Sequence, residues 1–371
     1  MASHPRRAHD RLVMAFVSVA AVALAAPAAA QKDNAYVQHN LVSDTGEIPA
    51  VIHDAHLINS WGIAASSTSP WWIANADSGF STVYNTSGPL PALQLLVTVP
   101  GEPTGTVFNG GSGFQLVSGE ASSAARFLFA SEDGTISGWN PTVDVAQAMV
   151  VFTSPNPGAS YKGLAIARNT ARGDVLYAAD FHNAHVDIIG ADLHLVDAPG
   201  AFVDPNLPAG YAPFGIQNIN DRIFVAYAKQ DEDAEEEVAG EGLGYVDVFD
   251  SAGGFIRRVA SRGALNAPWG IALAPADFGR FSGDLLVGNF GDGRINAFDG
   301  QTFEPRGHLK RPDHKPIVID GLWGIGFGNG GGAGPATTLF FAAGPDEETH
   351  GLFGRLDLAP TASGTTGRDS N

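Results

Sequence analysis

Short apolar runs of strand length punctuate the chain, separated by Gly, Pro, Asn, Asp and Ser clusters, and they recur in a fixed order. Each unit opens with a turn, a residue of variable type, Gly and an apolar residue. The copies are SWGIA (Ser60–Ala64), PTGTV (Pro103–Val107), YKGLA (Tyr161–Ala165), PFGIQ (Pro213–Gln217), PWGIA (Pro268–Ala272) and LWGIG (Leu322–Gly326). A second run follows each: WWIAN ending at Asn75, FLFAS at Ser131, VLYAAD at Asp180, IFVAY at Tyr227, LLVGN at Asn289 and LFFAA at Ala343. Third runs end at Asn85, Asn140, Gly190, Asp250, Asp299 and Asp357, which are 55, 50, 60, 49 and 58 residues apart. Short strands repeating at about this period predict an all-β fold, a single six-bladed β-propeller.

Each repeat supplies three strands of a four-stranded blade. The outer strands are read at Leu93–Val99, Ala148–Phe152, Gly200–Asp204, Phe255–Ala260 and around His308–Lys310. The sixth repeat has none of its own. Tyr36–Val42 alternates like a strand and is expected to pair into the last blade and close the ring, removing exposed sheet edges. Asp133-Gly134 and Asp292-Gly293 read as two-residue hairpin turns. The glycine of each opening phrase is expected to let the innermost strands approach one another near the axis.

The ends of the chain read differently. Arg6, Arg7 and Arg11 precede an apolar stretch and Ala28-Ala29-Ala30, the pattern of a signal peptide over residues 1–30. The propeller is assigned to 31–359 and a disordered tail to 360–371. The expected location is secreted or periplasmic. Without Cys, no disulfide staples the fold. Removal of residues 1–30 leaves 18 basic against 38 acidic residues. That excess disfavours nucleic acid and anionic lipid as partners and suits solubility or cation binding. No membrane insertion is expected after cleavage, and a monomer is expected. Seven carboxylates fall within Asp231–Glu241. The run reads as a solvated loop, or alternatively as a calcium- or partner-binding lip.

Propeller topology gathers the second-strand ends and the loops before the innermost strands at one channel mouth, where polar groups converge. Asn75, Asp180 and Asn289 are oxygen donors at equivalent positions in alternate blades, a candidate set for a hard cation such as Ca2+. His182, His350 and Glu132 are the candidates for acid–base chemistry. His56, Asn59, Tyr227, Lys229 and Asp320 are the candidates for ligand contact. Trp61, Trp269 and Trp323 precede equivalent glycines, as stacking platforms or as packing between blades. There is no Cys nucleophile and no Gly-x-Ser-x-Gly elbow.

ASEDGTISGWNP (Ala130–Pro141), DPNLPAGYAPFGIQNI (Asp204–Ile219), LLVGNFGDGRINAFD (Leu285–Asp299) and HGLFG (His350–Gly354) resemble the motifs of a family of exported bacterial propeller proteins. Some of its members carry a PEP-CTERM tail, which this chain lacks. The resemblance implies export and a propeller but no activity. More distantly, the Trp-Gly-Ile units are similar to NHL repeats and to gluconolactonase- and paraoxonase-type six-bladed propellers. Those imply a calcium-like ion at the channel mouth. Two function classes stand: a binding or scaffold protein taking a small molecule, glycan or peptide at the mouth, and a metal-dependent hydrolase of lactone or ester type.

Overall fold

The computed structural model describes residues 1–2, 35–169 and 173–360. The signal-peptide reading and nearly all of the tail reading lie outside these residues. No α-helix occurs among the described residues, and six sheets form six blades around one axis. Every innermost strand contacts its counterparts in the adjacent blades, and Leu322–Phe327 meets Ser60–Ala64 to close the circle. Tyr36–Ser43 is the outer strand of the last blade, antiparallel to Leu352–Leu358 from Tyr36 against Leu358 to Ser43 against Leu352. The Tyr36 hydroxyl also donates to the Phe278 carbonyl at 2.9 Å, tying the closing strand to blade 5.

The second strands explain why their sequences are apolar without alternation. Both faces of a blade are covered by neighbouring blades, so both phases of the strand are buried. In Gly173–Asp180, Val175, Tyr177 and Ala179 pack towards blade 4, whereas Leu176 and Ala178 pack towards blade 2. Such alternation generates six apolar layers, one for each blade–blade contact, and a seventh on the axis.

Three expectations are corrected. Gly200–Asp204 is not an outer strand, and blade 3 has three strands. Leu195 bridges Ile189 in the outer position instead. The predicted strand turns with Phe202 at φ 55°. Phe202 is wedged between Tyr177 and Phe249, while Asp204 pairs with Arg258 of blade 4. Burying an aromatic between two blades outweighs one more edge strand here. In blade 5 the outer strand is Pro305–His308, slightly upstream of the expected stretch. At Asp133-Gly134 three residues, not two, link the strands, and only Gly134 has positive φ (72°).

Each innermost strand carries a register break at its opening phrase, so that the residue before the glycine is left over on its own strand. A bulge re-aims that side chain. The glycine after it lies against the next blade's backbone. A Cβ on Gly62 would sit 2.6 Å from the Thr104 carbonyl oxygen. On Gly163 it would sit 2.7 Å from that of Phe214, on Gly270 2.5 Å from that of Trp323, and on Gly324 2.5 Å from that of Trp61. We therefore expect Gly270→Ala to lower stability by about 1–3 kcal/mol, the usual cost of overpacking against rigid backbone. Gly46→Ala, with no neighbour inside 4 Å, should leave the chemical-denaturation midpoint unchanged. Equal midpoints for the two variants would refute this account of ring closure.

Candidate site at the charged mouth of the channel

The six left-over residues are Trp61, Thr104, Lys162, Phe214, Trp269 and Trp323; the four aromatic ones pack together on the axis with the Lys162 ammonium beside Trp61. The Trp61 and Trp323 rings stack at 3.5 Å between centroids, Phe290 stacks on Trp323 at 4.1 Å, and Trp269 stands edge-on to both tryptophans. The indole N–H groups are satisfied. Trp61 and Trp323 both donate to Asn59 Oδ1, at 2.9 and 3.3 Å, and Trp269 donates to the Lys162 carbonyl at 2.9 Å. Thr104 donates its hydroxyl to the Tyr161 carbonyl at 2.5 Å. The axis is therefore filled by a buried aromatic cluster.

Lys162 is the one charged member, and its side chain is only 2% exposed. Its ammonium lies 5.5 Å from the Trp61 ring centroid. Burial alone would lower its pKa, but Glu132 and Glu236 hold it above the ordinary value. It is ion-paired to Glu132 of blade 2 and, at 3.1 Å, to Glu236 of the blade 4 insertion. Glu237 and Glu348 complete the surround, with Asp77 of blade 1 further out. Burial outweighs the pull of Lys162 and pushes the Glu237 carboxyl up to about 8. Burial and then repulsion from Glu236 push Glu348 up to about 7. Glu237 Oε2 and Glu348 Oε1 are buried and have no hydrogen-bond partner among the described residues. Four carboxylates thus face one ammonium, and on two of them one buried oxygen lacks a donor.

The acidic run is structured where it reaches the mouth. Glu237–Val238 pairs with Lys229–Gln230 as a short strand, and Asp231 closes the loop through Glu236. The signal for this site lay in the aligned repeats. Lys162 occupies a position that is aromatic in four of the other five blades.

Of the catalytic and ligand candidates singled out from sequence, Glu132 alone reaches Lys162, joined by Glu236 of the acidic run. His350 Nδ1 lies 2.8 Å from Asp44 Oδ2, and that hydrogen bond raises its pKa. The backbone carbonyl of His182 accepts from Gln230 Nε2 at 3.2 Å, with its ring against Gly158. Glu132, His182 and His350 thus have separate partners. His56 Nδ1 is 2.8 Å from Asp54. Asn59 spends its carbonyl oxygen on the two indoles and its amide N–H on Asp77. Tyr227 is 2% exposed in the layer between blades 3 and 4, because the second strand lies one strand out from the axis. Lys229 is exposed, and Asp320 is exposed and accepts the Asp346 N–H at 2.9 Å.

The proposed cation trio is turned into its own blades. Asn75 bonds Ser60, Thr82 and the Phe80 carbonyl. Asn289 donates to Ala264 and Asp292. Asp180 accepts from Ser160 and Asn183. One other group stands close: ligand atoms of Asp180, His185 and Asp187 lie within 4.8 Å of one another. Tyr161 donates to Asp187 Oδ2 at 2.5 Å and His185 Nε2 lies 3.0 Å from Asp187 Oδ1, so this group is internally bonded.

The chain is 36% identical over 325 residues to "Uncharacterized protein L690" of Acanthamoeba polyphaga mimivirus, covering 82% of this chain and 81% of the relative. "Uncharacterized protein R648" of the same virus is 35% identical over 320 residues, covering 82% and 76%. The chain belongs to the family of these two mimivirus proteins. These family members are viral and give no support to the bacterial attribution drawn from the motifs. No family model matches. Among solved structures, a streptogramin B lyase is similar at 13% identity and TM-score 0.46, covering 90% of this chain and 100% of that one. A glucose dehydrogenase is similar at 12% and 0.49, covering 88% and 100%. At these values the likeness says nothing about chemistry.

Lys162→Met leaves the mouth carboxylates facing one another. Breaking a buried pair commonly costs about 3–5 kcal/mol. Glu236 is 63% exposed, so solvent screening reduces the expected loss to about 1–3 kcal/mol. The loss should be larger at pH 8 than at pH 5, where protons on Glu237 and Glu348 replace the missing charge. Denaturation at the two pH values checks the sign.

Proposed function

We propose that this protein is a binding propeller that captures an organic ammonium ligand, an amine-bearing small molecule or a basic side chain, at the charged mouth. The observation that carries the reading is the pair of buried, partnerless oxygens on Glu237 and Glu348, beside a lysine already held by two other carboxylates. A positively charged ligand satisfies both oxygens at once, and the rings of Trp61 and Phe181 already accommodate one ammonium nearby. A bare metal ion fits less well. Among the described residues only Asp180, His185 and Asp187 bring three Asp, Glu or His ligand atoms within 4.8 Å, so the mouth carboxylates are too dispersed to chelate. We further propose that the protein acts outside the cytoplasm, on the strength of the Arg6–Ala30 leader.

A metal-dependent hydrolase is the second reading, favoured by that Asp180–His185–Asp187 group. Against it, Asp187 already accepts from Tyr161, pairs with His185 and lies within 3.4 Å of Asn156 Nδ2. A metal-dependent thermal shift abolished by Asp187→Asn supports this second reading.

The ammonium reading carries a pH sign. Glu237 and Glu348 must lose protons before they meet a cation, so affinity rises with pH, by about tenfold per unit for each proton released. Calorimetric titration with putrescine is expected to show tighter binding at pH 8.5 than at pH 6, with proton release in the lower range. Glu237→Gln with Glu348→Gln should flatten the pH profile. If putrescine fails to bind at either pH, or the double variant binds with an unchanged profile, the mouth is not an amine site.

A further inference from the structure

The channel continues beyond the aromatic cluster. On the side away from the charged mouth, the six innermost strands line a half-open cavity of about 360 Å³, with Trp269 shared between the cluster and the cavity wall. The volume is at the lower end of the roughly 300–1,000 Å³ typical of small-molecule sites. Its chemistry is the reverse of the mouth's. The chain has 39 acidic and 21 basic side chains, and none of those among the described residues lines this cavity. Two of the residues that line it each carry a buried polar atom without a partner among the described residues, the Trp71 indole N–H and Asn218 Oδ1. They are a donor and an acceptor. The Asn218 amide is fixed, because its Nδ2 donates to the Ile166 carbonyl at 2.9 Å, which leaves the oxygen as the free end. Buried polar groups are ordinarily bonded, so one on each of two opposed blades, Trp71 of blade 1 and Asn218 of blade 4, is a specific feature of the site.

The remaining wall is made of innermost strands, which pair on one side only and turn their other edge to the axis. A sheet edge carries unused N–H and C=O groups in alternation. The ligand suited to such a wall offers several donors and acceptors and carries no charge, since an ion here would be desolvated without a counter-charge. The geometry points to a second binding site, independent of the mouth, for a neutral polyhydroxylated ring of monosaccharide size. An acceptor of the ligand meets Trp71 Nε1 from blade 1, a hydroxyl donates to Asn218 Oδ1 from blade 4, and the ring's apolar face lies against Phe108 of blade 2.

The test is ligand-observed NMR on the full chain with a panel of neutral hexoses and cyclitols, with glucuronate and glucosamine as charged counterparts. Saturable binding of at least one neutral member is expected, with the charged counterparts at least about tenfold weaker. Trp71→Phe keeps an aromatic ring and removes the N–H, and is expected to weaken binding by about tenfold. Asn218→Leu sits on less buried wall and provides the same reading should Trp71→Phe fail to fold. Glu237→Gln, at the far mouth, should leave polyol binding unchanged, so the two sites succeed or fail separately. The proposal is overturned if no neutral member saturates, if charged and neutral rings bind equally, or if neither cavity variant alters binding.

Discussion

The contact between a glycine in one blade and the backbone beside the equivalent position in the next is what the ring rests on. It recurs from Gly62 against Thr104 round to Gly324 against Trp61, and it leaves no room for a Cβ. Five of these glycines meet the carbonyl of the residue preceding the next glycine, and Gly105 meets the backbone at Gly163 and Leu164. The innermost strands can converge only because the position is glycine. The register break beside it turns the preceding side chain towards the axis. Ring closure and the filling of the axis are therefore one geometric event repeated in each blade. The outer layers follow, since blades fixed at this spacing bury both faces of their second strands against neighbours.

That event divides the channel. Aromatic side chains at four of the six axial positions make a plug, so the two ends of the axis need not share a chemistry. On one side lie Lys162 and its carboxylates, in surroundings where burial strengthens every charge. On the other lies an uncharged wall with an isolated donor and acceptor. A through-channel would have allowed solvent and ions to equalise the two environments. The stacked Trp61–Trp323 pair, with both indoles held by Asn59, separates them.

The sequence made the architecture legible because it repeats. Blade number, ring closure by Tyr36–Val42 and most strand positions follow from the hydrophobic pattern and its period. The exception at Gly200–Asp204 looked like a strand because Phe202 and Val203 are apolar. Whether Phe202 joins a ladder or wedges beside Tyr177 and Phe249 depends on a neighbouring blade, which local pattern does not contain. The site was legible only in part. Topology places Glu132 at the mouth, but it points to the second-strand ends Asn75, Asp180, Tyr227 and Asn289 there as well. They lie a strand further out and are buried; Asn75 and Asp180 are hydrogen-bonded inside their own blades, while the Tyr227 hydroxyl and Asn289 Oδ1 have no partner among the described residues. The bulge that hands the axis to the residue before each glycine is a register effect, invisible in composition. The far cavity has no motif at all, since it is built mostly from backbone edges.

Lys162 shows how one departure from the repeat produces a site. An aromatic residue there would have completed the plug and left the acidic insertion of blade 4 without an anchor. An ammonium buried to 2% exposure requires anions, and no single blade supplies enough. Glu132 comes from blade 2, Glu236 and Glu237 from blade 4 and Glu348 from blade 6, so three blades converge on the lysine of a fourth. The surplus is the consequence. One positive charge neutralises one carboxylate's worth of charge, and the others persist only by holding protons, being screened or meeting a cation from outside. In a chain of formal net charge −18, concentrating that surplus at a buried point, with two oxygens denied any donor, works against stability unless something binds there. The lowered acidities of Glu237 and Glu348 follow from that arrangement, and the ammonium ligand proposed for the mouth would supply the missing charge.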